Sequence, residues 1–204
     1  MFTGIVQGTG HVTAIEPRGG DVTMTFHTGG VTVDTVAAGD SIAVNGVCLT
    51  ATQLAPGQFS ADVSHETLSV TTLGQWQPGT RINIEKALRA GDALGGHYVT
   101  GHVDGIAVLE TREDDARSVR MVFGVPGPLA RYIARKGSIC VDGVSLTVNA
   151  VDGATFAVNL VPHTLDVTIL RDYRPGTRVN VEIDIIARYV ERMFTGAQEV
   201  PAVR

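Results

Sequence analysis

The sequence predicts an all-β protein made of two similar small barrels, with one helix at the C-terminus. Three observations carry this reading. A long block of the chain recurs in register, each copy reads as about six short strands parted by turn signals, and only the last periodic stretch has helical spacing.

The repeat is plainest where Gly39-Asp40-Ser41-Ile42-Ala43-Val44-Asn45-Gly46-Val47-Cys48-Leu49-Thr50 returns as Lys136-Gly137-Ser138-Ile139-Cys140-Val141-Asp142-Gly143-Val144-Ser145-Leu146-Thr147. The offset, 138 − 41 = 97, also pairs Thr3-Gly4 with Thr100-Gly101, Thr67-Leu68 with Thr164-Leu165, and Pro78-Gly79-Thr80-Arg81 with Pro175-Gly176-Thr177-Arg178. Between 41–87 and 138–184, 19 of 47 positions are identical without a gap, a register that chance does not hold. The period is too long for a solenoid. The chain therefore divides into domains at 1–97 and 98–186, followed by a tail over 187–204.

Within each copy the turns come first. Asn45-Gly46 and Asp142-Gly143 lie between short apolar runs, which is the signature of a two-residue hairpin whose central positions need positive φ. Pro56-Gly57 and Asp152-Gly153 mark the next turn, and Phe59 and Phe156 open new alternating runs. Pro78 to Glu85 and Pro175 to Glu182 each read as a turn followed by alternation. Strands at this spacing suggest a small closed barrel. Helical signals are few: one turn over 62–68 and another over 128–135, ended by Lys136-Gly137. In the tail, Ile185, Ile186, Tyr189, Val190, Met193 and Phe194 share one helix face, with Asp184 near the start and Gly196 just past the end. A terminal stripe of this kind must be buried, either on its own barrel or by self-association about a symmetry axis.

Composition narrows the function. Hydrophobic residues make up 44% and charged residues 18%, below the usual quarter or so, which excludes a disordered polyelectrolyte. A net charge of −5 disfavours nucleic-acid binding. No apolar run is long enough to span a bilayer, and the N-terminus lacks the features of a secretory signal. Two cysteines make neither a disulfide framework nor a zinc cluster, so a reducing cytoplasm is expected.

Together with Met1-Phe2-Thr3-Gly4-Ile5-Val6 and Gly95-Gly96-His97-Tyr98-Val99-Thr100-Gly101-His102-Val103-Asp104-Gly105, the repeated segments resemble the riboflavin synthases of the alpha-chain type, which carry two lumazine-binding repeats. The likeness runs from residue 1 to about 193. It implies two six-stranded antiparallel Greek-key barrels and a homotrimer assembled through the C-terminal helices. It implies that two molecules of 6,7-dimethyl-8-ribityllumazine exchange a four-carbon unit, giving riboflavin and 5-amino-6-(ribitylamino)uracil, without a cofactor or metal. The reacting pair would lie between the N-terminal barrel of one subunit and the C-terminal barrel of its neighbour. Association with lumazine synthase is a further implied partnership. The competing reading is a non-catalytic lumazine- or flavin-binding paralogue that serves as an optical antenna.

Two like substrates need two like pockets, and a donor–acceptor pair needs them to differ somewhere. Cys48 stands opposite Ser145, His102 opposite Ile5, and Ala87 opposite Asp184. The resemblance makes Cys48, His102, Ser41, Ser145, Thr147 and Asp184 the catalytic candidates. Cys48 suits a nucleophile or polar contact at C7 of one lumazine, and His102 a base. The hydroxyls of Thr50, Thr67, Thr147 and Thr164 suit the pyrimidinedione edge and ribityl chain. The same resemblance gives contacts at Leu49, Leu146, Val103 and Gly101. Backbone groups around Gly4, Ile5 and Val6, around Asp62, Val63 and Ser64, and around Asn159, Leu160 and Val161 would hold the ring. Ser64 departs from the methionine common in that family. Lys136 resembles a contact reaching across the subunit interface. Asp184 either orients water or ribityl hydroxyls or caps the terminal helix. Cys140 belongs to the core and His97 is read as structural, while His65 and His163 have weaker claims.

Overall fold

In the computed structural model residues 1–199 are described, and their strands fall into two sets of six. The first is β1 (Gly8–Arg18), β2 (Asp21–His27), β3 (Ser41–Val44), β4 (Val47–Ala55), β5 (Gln58–Val63) and β6 (Arg81–Lys86). The second is β7 (Gly105–Asp115), β8 (Ser118–Gly124), β9 (Ser138–Val141), β10 (Val144–Asp152), β11 (Thr155–Leu160) and β12 (Arg178–Ile183). Each set closes into an antiparallel barrel, in the orders β1-β2-β5-β4-β3-β6 and β7-β8-β11-β10-β9-β12. Closure leaves no strand edge unpaired.

The hairpins form where expected. Asn45 and Gly46 have φ of 43° and 74°, and Asp142 and Gly143 have 43° and 82°, the left-handed pair a type I′ turn requires. Inward-facing residues fill each barrel around a phenylalanine pair, Phe26–Phe59 at 4.9 Å and Phe123–Phe156 at 5.4 Å between ring centroids. The two pairs are related by the repeat offset, so duplication preserved the packing as well as the turns.

The helical signals need adjustment. The turn expected over 62–68 is helix α1 (His65–Val70), because Asp62 and Val63 complete β5 and Ser64 is the N-cap, its hydroxyl accepting the Thr67 N–H at 3.2 Å. The segment over 128–135 yields only the single turn α2 (Gly127–Ala130). Helix α3 (Pro162–Val167) matches α1, and short 3-10 turns follow both, over Thr72–Gln75 and Ile169–Asp172. Helix α4 (Ile185–Glu199) runs through Gly196, which therefore lies inside the helix and does not stop it. Among the described residues no helix is long and apolar enough to cross a membrane.

The barrels meet about a pseudo-twofold axis, bolted by two buried asparagines. Asn83 Nδ2 donates to the Asp142 carbonyl, and Asn180 Nδ2 to the Asn45 carbonyl, each at 2.9 Å. Their Oδ1 atoms accept the N–H groups of Ile169 (2.9 Å) and Thr72 (2.8 Å) from the opposite barrel. The hairpin glycines touch backbone to backbone: a Cβ on Gly46 would stand 2.7 Å from the Gly143 nitrogen.

Helix α4 lies on the second barrel by its polar side. Arg188 reaches Asp104 at 2.8 Å, and Glu191 takes Tyr132 and Arg131. Asp184 caps the helix, its Oδ1 accepting the Ile186 N–H at 3.0 Å. The apolar stripe faces outward, with Tyr189 65%, Met193 75% and Phe194 74% exposed. The stripe is therefore not packed on its own barrel.

Candidate functional site

Two crossing segments build the candidate site. Phe2 and Val99 form an antiparallel bridge on the axis, with N–H···O distances of 2.7 and 3.1 Å. From there each segment is held by one buried carboxylate. The Thr3 N–H and hydroxyl donate to Glu85 Oε1, both at 2.7 Å, and the Gly4 N–H donates to Oε2 at 3.0 Å. Glu182 repeats the pattern on Thr100 (2.7 and 2.6 Å) and Gly101 (2.9 Å). Burial pushes both carboxyls above their ordinary range, and the threonine and glycine donors pull them partly back.

Held in this way, each segment reaches the opposite barrel. The Gly4 carbonyl accepts the Ser145 N–H at 2.7 Å, and the Gly101 carbonyl accepts the Cys48 N–H at 2.9 Å. Val6 then packs on the second core and Val103 on the first.

The residues expected to hold the two ligands gather on the barrels in two sets, one per barrel, which we take as the candidate grooves. The first gathers Cys48, Leu49 and Thr50 of β4, Asp62 and Val63 at the end of β5, Ser64 and Thr67 at the start of α1, and Gly101, His102 and Val103 of the crossing segment. The second gathers Ser145, Leu146 and Thr147 of β10, Asn159 and Leu160 of β11, Val161 and Thr164 at α3, and Gly4, Ile5 and Val6. Leu49, Val63, Leu146 and Leu160 are buried in the barrel cores, so only their backbone can face a ligand. Ser41 sits opposite Thr50 in the ladder. Lys136 is exposed one residue before Gly137, its N–H bonded to the Val148 carbonyl at 2.7 Å, which sets it beside Thr147.

The grooves differ in polarity. The first has His102 and Ser64 exposed; the second has Ile5 and Val161 at those positions, each about half exposed. The second also has a contact that the sequence reading missed. His97 Nδ1 lies 2.7 Å from Ser145 Oγ, while its Nε2 is buried without a partner. Burial lowers the His97 pKa, and the nearby Asp184 charge partly restores it. A bare Nδ1 at that distance can take the serine proton. His97 and Ser145 are 48 residues apart. The available signal was Gly95-Gly96: a Cβ on Gly96 would stand 2.1 Å from the Thr3 carbonyl oxygen and 3.0 Å from Ser145 Cβ, so glycine lets the linker run between the crossing segment and that serine.

A model of the lumazine binding domain matches this chain twice, over residues 3–87 and 100–184, the same two units that close into barrels. A riboflavin synthase of Mycobacterium tuberculosis is 45% identical over 201 residues, covering 97% of this chain and all of that one. The chain belongs to the riboflavin synthase family. Its members from Photobacterium phosphoreum (42% identical, 95% of this chain and 89% of that one) and Bacillus subtilis (39% identical, 98% and 92%) match over nearly the whole length as well. The fold of the family extends to LumP: the LumP chain complexed with riboflavin superposes with a TM-score of 0.81 at 24% identity, covering 90% of this chain and 99% of that one.

Proposed function

We propose that this protein is a riboflavin synthase, dismutating two molecules of 6,7-dimethyl-8-ribityllumazine into riboflavin and 5-amino-6-(ribitylamino)uracil. The observation that carries the reading is the pair of closed barrels in repeat register, each matched by the lumazine binding domain, whose candidate grooves share their hydroxyls and differ at Cys48/Ser145 and His102/Ile5. Identical substrates bind alike, and the differences let one act as donor and the other as acceptor. No outside oxidant is needed, because the four-carbon unit gained by one ring is lost by the other.

The C7 methyl of one bound lumazine, acidified by its ring, gives up a proton with help from His102, Cys48 or bound water. The carbanion attacks the partner ring, activated by addition at its C7. Ser145, with His97 Nδ1 at 2.7 Å and Asp184 nearby, would direct that addition. Ring closure and elimination follow. Holding the two rings in contact supplies much of the acceleration, on the order of 7–11 kcal/mol at best. Lys136 supports a substrate role by its backbone: it holds φ 69° where its counterpart Gly39 has 95°, a conformation that costs a side chain about 1–2 kcal/mol.

The test is incubation with the lumazine. Riboflavin should accumulate, whereas an antenna protein would only bind. Cys48→Ala and Ser145→Ala should each cut turnover by roughly a hundredfold to ten-thousandfold with the melting temperature unchanged; full activity in both would remove these residues from the mechanism. The protein acts as a homotrimer, with sites shared between subunits, in the cytoplasm. The outward stripe of α4 supports the trimer, and association with lumazine synthase, the source of the substrate, belongs to the same reading. Tyr189→Glu with Phe194→Glu should yield monomers by light scattering, with lost activity. A trimer persisting in that variant would move the interface elsewhere.

A further inference from the structure

One difference between the halves, outside the grooves, lies beside a cavity. In the second barrel Arg112 of β7 lays its guanidinium on the end of the 3-10 turn that follows α3. Its Nη1 is 3.3, 3.0 and 3.1 Å from the carbonyl oxygens of Leu170, Arg171 and Tyr173. Carbonyls at the end of a helical turn carry partial negative charge, so a cation is well placed there. The equivalent of Arg112 in the first barrel is Ile15 (112 − 97 = 15), and the registers agree: Arg112 pairs with Met121, Ile15 with Met24.

The turn itself is conserved in shape. Thr71 and Thr168, which cap the two turns at their starts, have φ/ψ of −124/170° and −128/166°. Trp76 and Tyr173, which end them, have −76/156° and −66/143°. The carbonyls of Leu73, Gly74 and Trp76 therefore sit as those of Leu170, Arg171 and Tyr173 do, but isoleucine brings them no donor. A cavity of about 290 Å³ opens there, walled by Ile15, Val22, Met24, His65, Leu68, Ser69, Leu73, Gly74 and Trp76.

We propose that this cavity is a binding site for a small planar cation of the guanidinium type. The second barrel supplies the template from its own sequence: there the equivalent turn, beside the equivalent strand pair Arg112–Met121, is occupied by a guanidinium. Trp76 adds an aromatic wall, to which such a cation is attracted in its own right. The site is independent of the grooves and stands whether or not the catalytic reading does. It adjoins them, since α1 contributes Leu68 and Ser69 to the cavity and Thr67 to the first groove.

Trp76 is the sole tryptophan of the chain, so its fluorescence reads the cavity directly. Titration of the intact protein with millimolar methylguanidinium should give a saturable change, and tetramethylammonium, which can meet the Trp76 face but has no N–H donors for the carbonyls, should give a much weaker one. Ile15→Arg should abolish the response and raise the melting temperature by several degrees, since the protein then carries its own occupant. Arg112→Ala provides the second measurement: it should lower the melting temperature, and methylguanidinium should restore part of the loss. An arginine-containing peptide in parallel identifies the source. Binding of the peptide alone would overturn a small-ligand site. An equal response to tetramethylammonium, a response that survives in Ile15→Arg, or no rescue of Arg112→Ala would overturn the proposal altogether.

Discussion

Replacing Gly101 with alanine should cost the protein both stability and its first groove. Gly101 has φ 80°, and a Cβ there would stand 2.5 Å from Cys48 Cβ and 2.8 Å from the Cys48 nitrogen. The left-handed conformation alone costs an alanine about 1–2 kcal/mol. The overlap adds about 1–3 kcal/mol, because the atoms it meets belong to a barrel strand and cannot swing aside. Together they correspond to a fall in melting temperature on the order of 10 °C for a chain of this length. The groove suffers separately. Relieving the overlap moves Gly101 off Cys48 and takes His102 and Val103 with it, and a misplacement near 1 Å can cost about a hundredfold in rate. Gly4→Ala should do the same to the second groove, where the Cβ would meet Ser145 Cβ at 2.6 Å with φ 74°. Gly19→Ala is the control, with φ 61° and nothing within 4 Å. It should show the conformational cost only, with turnover intact. Calorimetry and a riboflavin assay on the three variants separate strain from overlap. Equal effects from all three would mean that the crossing segments yield freely and do not shape the grooves.

What could be read in advance follows from how local each feature is. The Asn45-Gly46 and Asp142-Gly143 hairpins are dictated by two residues and their neighbours, and they fold as read. Strands β1 and β2 left no such mark, because the register slips between Val12 and Ala14 and the alternation loses phase. The helix over 62–68 began late because Ser64 competes as a cap, which needs the Thr67 N–H and no apolar periodicity. Repeat comparison exposed Cys48/Ser145 and His102/Ile5, since it flags positions that differ. It was blind to Asn83 and Asn180, which are identical in the two halves and looked like ordinary strand residues, yet bolt the barrels together. The His97–Ser145 contact was hidden for a third reason: the partner lies across the axis, and only the crossing of residues 1–6 with 98–103 brings the two together.

The same axis holds the group that should dominate the pH dependence of stability. Asp142 is fully buried; its Oδ1 accepts the Asn180 N–H at 2.8 Å, and its Oδ2 takes the Tyr173 hydroxyl. Burial pushes its pKa up to about 7, against the pull of those two donors. An unfolded aspartate titrates near about 3.9. With the folded value the higher of the two, the folded state binds more protons between them. Stability from this group is therefore fully present below about pH 4, is lost progressively as pH rises towards 7, and stays flat above. Three pKa units correspond to about 4 kcal/mol. Glu85 and Glu182, also raised, slope the same way, whereas His97, lowered by burial, favours the folded state less as pH falls below about 6.5. Asp142→Asn isolates the one contribution. The first barrel shows that asparagine fits: Asn45 has the same φ of 43° and accepts the Asn83 N–H at 2.7 Å. The variant should therefore melt close to the parent at pH 4.5 and well above it at pH 8, by up to about 10 °C. Tyr173→Phe should do the reverse at pH 8, since it removes one of the donors that support the carboxylate. If the two melting curves shift by the same amount at both pH values, Asp142 keeps an ordinary pKa and its charge is tolerated between the barrels.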